Sequence, residues 1–382
     1  MGPKIIKALP ILILAFLLVP ACFCANVAIP SLELITRGTM ESGVFGLATR
    51  GEMDLRVEGG YKFGGLISFT YVNNTIEEDP FGVGLTFKTA TITMRQLFAL
   101  PIDFSFFVGQ SDVLCSGDGF TETFGTASFA TRYRGYLYFA DGVLYDGIHQ
   151  VKGTGLKLNL APLKDTLSLS VFAYQDAHFT TDVTETDGSV STYLDPGHYS
   201  IDARVLANLP AMQVEGFAGT TLSMDSLYGY WRGGLLFHAS NQNVEFLAQI
   251  GIPQFDPATD STFNIDLFYL LFEPRLHLGL LSIIPTFFWH PGEYLQVSTG
   301  ESGSFDINLN FMLGDEVKTP LMGGLEGNFR FVKSEGNFLI KASPYLSFMT
   351  PGVIWNFKLD CKLWPFDAAD LVETYIGLKA EF

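Results

Sequence analysis

The chain has few charged residues and few cysteines for its length. Charged residues make up 16% of its 382 positions, and the four cysteines do not have the spacing of a metal site. After residue 25, no uninterrupted apolar run reaches the roughly 20 residues that a membrane-spanning helix needs. The nearest run, from Leu276 to Trp289, is interrupted by a histidine, a serine and Pro285. Helical membrane spans are therefore excluded.

Motifs of common enzymes are also absent. The sequence contains no phosphate-binding glycine loop, no His-Glu-x-x-His and no Gly-x-Ser-x-Gly. Its six histidines are scattered without ligand spacing. The 40 acidic residues outnumber the 23 basic ones, which argues against nucleic-acid binding because that needs basic surface to replace counterions. The sequence therefore predicts no catalytic residue, no metal, no cofactor and no enzymatic activity.

The first 25 residues have the pattern of a secretory signal peptide. Two lysines precede an apolar run from Ile11 to Val19, and a cluster of small residues follows, ending at Ala25. We expect this segment to be removed, which leaves residues 26–382. The sequence leaves open whether cleavage falls near Ala25 or whether Cys22 is lipidated as in a lipoprotein.

Two cysteines, Cys115 and Cys361, remain after the signal segment. Export permits a disulfide between them. The sequence does not decide between that disulfide and two free thiols.

Most of the exported chain alternates apolar and polar residues, which is the pattern of β-strands with unlike faces. Around residues 353–363, for example, Trp355 and Phe357 lie on the face opposite Lys358 and Asp360. The alternation recurs at residues 155–160, 199–208, 212–222, 244–250, 263–271, 305–313, 321–331 and 372–382. Turn residues such as Asp-Gly and Pro-Gly separate the runs, as hairpins require.

These strands predict one all-β domain, a transmembrane antiparallel β-barrel spanning residues 26–382. Its low charge, its aromatic content of 14% and its 35 phenylalanines fit an outer apolar band with aromatic girdles. Its length suits about 16 strands, with 14–18 allowed. We expect short turns at one rim and longer connections, for example at 110–121 and 181–197, at the other. Residues 26–41 could instead be an N-terminal periplasmic or plug segment.

The last eight residues, Tyr375 to Phe382, resemble the C-terminal targeting signature of bacterial outer-membrane β-barrels. They contain Gly377, apolar residues at alternate positions and a terminal phenylalanine. Tyr375 departs from the pattern, since a more polar residue is common there. The resemblance implies that the barrel-assembly machinery reads this segment, and that the protein lies in the bacterial outer membrane in contact with its lipid.

Strand parity also predicts which ionisable side chains face the lumen. The predicted lining residues are Lys157, Asp202, Arg204, Glu245, Asp266, Glu273, Arg275, His277, Asp306, Glu326, Arg330, Lys341, Lys358, Asp360 and Lys362, with Glu373 on the same face of its strand. Both signs occur, so opposed charges could set up a transverse field in a polar, acidic lumen.

This architecture gives three functional hypotheses. The leading one is an outer-membrane porin or channel through which small solutes diffuse passively, without covalent chemistry. The first alternative is a transport barrel for hydrophobic compounds, similar to fatty-acid transport barrels, in which residues 26–41 could supply the plug. The second is a surface-exposed structural or adhesion barrel. Oligomerisation is possible, and the sequence does not decide between a monomer and a trimer.

Overall fold

The chain folds almost entirely into β-strands. The computed structural model describes residues 25–41, 44–60, 62–73, 85–127, 129–132, 147–184, 190–223, 229–260, 264–291, 293–294, 297–298, 304–314, 319–332, 336–366 and 371–380. Phe382, the last residue of the C-terminal signature, lies outside them. Within the described residues, eighteen strands form one closed antiparallel sheet.

In the described ranges, eighteen strands build the barrel wall, and four more form two small hairpins. The wall strands are β1 (Ala25–Glu41), β2 (Val44–Gly59), β3 (Phe63–Asn73), β4 (Thr86–Met94), β5 (Ile102–Leu114), β6 (His149–Leu163), β7 (Leu167–Asp176), β10 (His198–Leu209), β11 (Met212–Ser223), β12 (Tyr230–Ser240), β13 (Val244–Phe255), β14 (Tyr269–Leu278), β15 (Leu281–His290), β18 (Ser304–Leu313), β19 (Leu321–Val332), β20 (Asn337–Thr350), β21 (Val353–Trp364) and β22 (Val372–Ala380). The hairpins are β8 (Thr180–Thr184) with β9 (Val190–Leu194), and β16 (Glu293–Tyr294) with β17 (Val297–Ser298).

One short helix, α1 (Asp118–Phe124), follows β5. Two single-turn 3₁₀ helices lie at Leu97–Ala99 and Ile265–Leu267. In the part of the chain that the structure describes, no helix has the length and apolar character needed to cross a membrane.

The sheet closes between the first and last strands. β1 pairs with β2 on one side and with β22 on the other, so that Leu32 lies opposite Ala380 and Gly38 opposite Thr374. Every wall strand therefore has two neighbours, and the sheet has no open edge. Residues 26–41 are thus a strand of the wall and not a plug. Counting them in the wall helps to explain why the barrel has eighteen strands, the upper limit of the predicted range, instead of about 16.

Successive residues along the wall alternate between buried polar and exposed apolar side chains. On β10, Ile201 and Val205 are 48% and 42% exposed, whereas Asp202 and Arg204 are 0% and 3% exposed. A water-soluble sheet buries its apolar face and exposes its polar one. The reversed arrangement is that of a transmembrane barrel, whose apolar side chains face lipid and whose polar side chains face the interior.

The two ends of the barrel have unlike connections, as the sequence predicts. At the end that we call the short-turn rim, the connections contain two to seven residues. At the opposite end, the long-loop rim, residues 115–148 form a connection of 34 residues, and residues 177–197 one of 21. β1 begins and β22 ends at the short-turn rim.

A charge placed on the outer face should destabilise the barrel. Val205 points outward near the middle of β10, and we expect Val205→Arg to lower the free energy of unfolding in lipid vesicles by about 2–4 kcal/mol. Val205→Leu is the matched control and should cost less than about 1.5 kcal/mol. Equilibrium denaturation measures both, and equal stability of the two variants would contradict a lipid-facing outer surface.

Candidate channel lining and the segment packed inside the barrel

The long connection after β5 turns into the barrel. Its α1 helix begins after Gly117 and ends at Gly125, both with a left-handed backbone that glycine adopts readily. Phe120 and Phe129 are buried in this segment and belong to one apolar cluster with side chains from the inner face of the wall. The wall members of the cluster include Phe172, Leu206, Phe217, Leu236, Leu247, Tyr269, Leu271 and Phe288.

The start of the segment is fixed by buried polar contacts with the wall. The backbone N–H of Cys115 donates to Glu215 Oε1 at 2.8 Å, and Gln249 Nε2 donates to the Cys115 carbonyl at 2.6 Å. The α1 helix also lies close to the wall, because a methyl group at Gly119 would lie 3.0 Å from Arg204 Nη1. Close packing at this position therefore favours glycine.

The far end of the described segment is held by Glu273 on β14. This carboxylate accepts from Thr131 Oγ1 at 2.6 Å and from the backbone N–H of Arg132 at 3.0 Å. Arg275 Nη2 donates to the Ala130 carbonyl at 2.7 Å. The segment thus crosses the inner face from β5 to β14 and covers that side of the barrel.

Both cysteines are free, so the possible Cys115–Cys361 disulfide is not formed. Cys115 is fully buried beneath the segment. Burial raises the pKa of its thiol well above the ordinary value, because the thiolate would lose its hydration. Cys115 should therefore be unreactive while the segment is in place.

Acidic and basic side chains of the inner face form compact ion pairs. Arg232 binds the Asp202 carboxylate through Nε at 2.7 Å and Nη2 at 2.8 Å, and Tyr174 donates to the same carboxylate at 2.8 Å. Gly219 on β11 lies opposite Asp202. Glycine provides the space for this carboxylate, since a Cβ at position 219 would collide with Asp202 Oδ1. Bidentate pairing of this kind is the strong form of a charged hydrogen bond.

A second cluster surrounds Asp112 on β5. Lys157 Nζ lies 2.8 Å from Asp112 Oδ1, and Arg204 Nη2 lies 3.0 Å from the same atom. Both cations also lie over the ring of Phe172, at 5.4 and 5.5 Å from its centroid.

The remaining predicted residues form further pairs along the wall. Arg275 lies 2.6 Å from both Glu245 and Glu273, and His277 Nε2 lies 3.5 Å from Glu245 Oε2. Asp306 pairs with Arg330 at 2.9 Å, Lys358 lies 3.0 Å from Glu326 and 3.5 Å from Asp360, and Lys341 lies 3.9 Å from Glu373. Lys362 lies on β21 opposite Lys341.

Asp266 is the predicted lining residue that the structure places elsewhere. It lies in the 3₁₀ turn before β14 and not in a strand. The Asn264 side chain accepts a hydrogen bond from the Asp266 backbone N–H and donates to the Asp266 carboxylate at 2.8 Å. This local side-chain capping stabilises a turn, so the alternation at 263–271 does not begin a strand until Tyr269.

The sequence reasoning missed the charges of β2. Five alternate positions of this strand carry charge, on the face opposite the exposed Phe45 and Leu47; they are Arg50, Glu52, Asp54, Arg56 and Glu58. Arg50 pairs with Glu52 at 2.8 Å and Arg56 with Glu58 at 2.7 Å. The period of two would have revealed this set. Glu215 was also missed, although it lies in the alternation at 212–222. Asp112 and Arg232 were missed because 110–121 was expected to be a connection and no alternating run was predicted for β12.

The cluster around Asp176 does not have the geometry of an activated serine. Ser200 and His178 both hydrogen-bond Asp176, so the carboxylate lies between the serine and the histidine. Activation of a serine needs a hydrogen bond from its hydroxyl to the ring nitrogen of the histidine. Within the same described ranges, no three His, Cys, Asp or Glu side chains converge as metal ligands would.

The acidic surplus of the sequence lies between the wall strands and not in them. The wall strands contain sixteen acidic and fourteen basic residues. By sequence, the stretches between wall strands at the short-turn end contain three acidic and four basic residues, and those at the long-loop end contain twenty acidic and three basic residues. Of the latter, Asp118, Glu122 and Arg132 lie on the segment inside the barrel. The expectation of a generally acidic lumen therefore becomes one of a nearly balanced wall beside an acidic rim.

The closed sheet, the apolar outer face and the ion-paired inner face define a transmembrane β-barrel. The fold is similar to that of OccK10 (OpdN) of Pseudomonas aeruginosa, with a TM-score of 0.54 and 9% identity over 94% of this chain and 99% of that one. OpdK, an outer membrane protein of the same species, has a TM-score of 0.51 and 12% identity over 94% and 98%. OccAB3 of Acinetobacter baumannii has a TM-score of 0.51 and 9% identity over 94% and 99%.

No protein-family model and no curated protein sequence matches the chain. At these identities, the likeness to the solved structures concerns the fold. That fold and the apolar outer surface together indicate a location in the bacterial outer membrane.

Labelling of Cys115 tests the inward packing of the segment. In a Cys361→Ser variant, N-ethylmaleimide at pH 7 should modify Cys115 slowly, because the thiol is buried and protonated. Phe129→Ala removes a ring that packs against Gly117 and should raise the labelling rate at least about tenfold, since loss of a buried phenylalanine costs about 3–5 kcal/mol. Peptide mass spectrometry measures the rate.

The matched control is Phe106→Ala, which removes an outward ring of β5 that is 43% exposed. This control should leave the rate of Cys115 labelling unchanged. Rapid labelling without the Phe129 substitution would contradict the packed position of residues 115–132.

Proposed function

We propose that the protein is a porin-type channel through which small polar solutes diffuse passively across the bacterial outer membrane. The observation that carries this proposal is the inner face of a closed barrel, which presents paired charges and hydrogen-bonding groups beside the apolar cluster that the inserted segment covers. Such a face supports a water-filled passage. The proposal assigns to the lining the predicted residues that lie on β18 to β22, together with the charged face of β2. The predicted residues of β6 to β14 lie on the side of the wall that the inserted segment covers.

A carrier of hydrophobic compounds fits the described structure less well. Such a carrier needs an apolar pocket inside the barrel. The apolar cluster of the inner face is covered by Phe120 and Phe129 of the chain itself, and the N-terminal segment that could have supplied a plug is β1. The inner surface left beside the segment belongs to β18 to β22 and β1 to β4. It carries ion pairs such as those of Arg330 with Asp306 and Lys358 with Glu326.

We also propose that the channel prefers cations because of its acidic rim. A nearly balanced wall has little net charge to repel either ion, whereas the excess of acidic residues at the long-loop rim raises the local cation concentration. Charges on a wet rim are screened by salt, with a Debye length of about 10 Å at 0.1 M and about 3 Å at 1 M. The preference should therefore weaken as the salt concentration rises.

Planar bilayers test the channel itself. The reconstituted protein should give stable conductance steps in 1 M KCl, and the reversal potential under a KCl gradient should show K⁺ favoured over Cl⁻, more strongly near 0.1 M than near 1 M. Boiled protein, which loses the barrel, is the control. Folded protein that inserts without any conductance would overturn the channel proposal and favour a structural or adhesion barrel.

The acidic residues of α1 give a sharper test of selectivity. Asp118 and Glu122 lie on the inward segment, and both are exposed. Asp118→Asn with Glu122→Gln should lower the K⁺ to Cl⁻ permeability ratio roughly twofold at 0.1 M KCl, because two charges leave the passage.

Asp165→Asn, at the short-turn rim between β6 and β7, is the control and should change the ratio less. An unchanged ratio in the α1 variant would show that this segment does not border the ion path.

A further inference from the structure

A small cavity opens on the inner face of β20, β21 and β22, near the long-loop rim. Its volume is about 130 Å³, and it is lined by Leu339, Lys341, Asp360, Lys362, Leu371 and Glu373. Pockets that bury drug-sized ligands measure about 300–1,000 Å³. The occupant of this cavity must therefore be small.

The charges of the cavity are arranged in like pairs across the sheet. Lys341 on β20 lies directly opposite Lys362 on β21, and Asp360 on β21 lies directly opposite Glu373 on β22. Like charges opposite each other destabilise a sheet, whereas unlike charges stabilise it. The register thus gives the cavity a basic half and an acidic half side by side. In a stabilising arrangement, residues of opposite charge would lie opposite each other.

Two of these charges are more accessible than the buried pair of Arg232 and Asp202. The side chains of Lys341 and Glu373 are 29% and 24% exposed and 3.9 Å apart, whereas the pair of Arg232 and Asp202 is closed at 2.7 Å and buried. The Tyr375 hydroxyl donates to Glu373 Oε2 at 2.8 Å, which orients this carboxylate. The acidic half is therefore positioned but still reachable from the lumen.

We propose that this cavity binds a small zwitterion, such as an α-amino acid with a short aliphatic side chain. The solute carboxylate lies toward Lys341 and Lys362, and its ammonium group toward Asp360 and Glu373. Leu339 and Leu371 contact the aliphatic part. A solute with only one charge forms an ion pair with only one half of the cavity. The inference rests on the proposed channel function, since the solute reaches the cavity through the lumen.

Block of the open channel by L-valine tests the inference in planar bilayers. L-Valine should reduce the KCl conductance in a saturable manner. Isobutylamine lacks the carboxylate, and 3-methylbutanoate lacks the ammonium group, so both should require at least about tenfold higher concentrations for half-block, as expected when charged hydrogen bonds are lost.

Two double variants each remove one half of the cavity. Lys341→Gln with Lys362→Gln, and Asp360→Asn with Glu373→Gln, should each raise the half-blocking concentration of L-valine at least about tenfold. The control is Lys62→Gln with Lys164→Gln, which removes two exposed cations from connections of the short-turn rim and should leave block by L-valine unchanged. Heat-modifiable migration on SDS gels confirms that each variant is folded before it is measured.

The outcomes separate this inference from the channel proposal. If the protein conducts but L-valine does not block, or blocks both double variants as it blocks the parent, the zwitterion site is refuted and the channel stands. Equal block by L-valine and by 3-methylbutanoate also refutes it, because the acidic half then contributes nothing. Folded protein that does not conduct refutes the channel proposal instead.

Discussion

Closure of the sheet between β1 and β22 is the constraint on which the rest of the barrel depends. A lipid-exposed strand edge would leave backbone N–H and C=O groups without partners, at several kcal/mol each. The ladder from Leu32–Ala380 to Gly38–Thr374 removes that edge. Once the sheet is closed, its two faces have different solvents, because lipid reaches only the outside. The alternation of apolar Ile201 and polar Asp202 along one strand follows from this division.

A closed barrel must then neutralise the charges that point inward. Some partners come from nearby strands, as Arg232 on β12 reaches Asp202 on β10 past Gly219. Others come from the inserted segment, whose backbone at Arg132 satisfies Glu273. The segment is therefore both a partner for buried wall charges and the boundary of the remaining passage. Its position depends on the same carboxylates that would be costly to bury alone.

The parts of this structure that follow from short-range pattern could be predicted from the sequence. Strand parity is local, so the alternation that sets Asp202 and Arg204 apart from Ile201 is visible without the fold. Partners are not local: Cys115 meets Glu215 and Thr131 meets Glu273 only after the barrel has closed. The α1 helix was missed for the same reason, since seven residues form a stable helix only through packing against a wall. At Asp266 the alternating pattern predicted a strand, but capping by Asn264 stabilises a turn instead.

Net charge alone would have placed the acidic surplus on the wall of the barrel. A strongly acidic chain suggests an acidic lumen, but the wall strands contain nearly equal numbers of both signs, and most of their inward charges are paired. Paired charges present dipoles to a passing solute and hold it weakly, which suits diffusion because a deep binding site would slow release. The unbalanced charge of the sequence is concentrated in the stretches that connect wall strands at the long-loop end. The two proposals therefore concern different places. Ion preference is proposed for the long-loop rim, and solute recognition for the like-charged pairs on β20, β21 and β22.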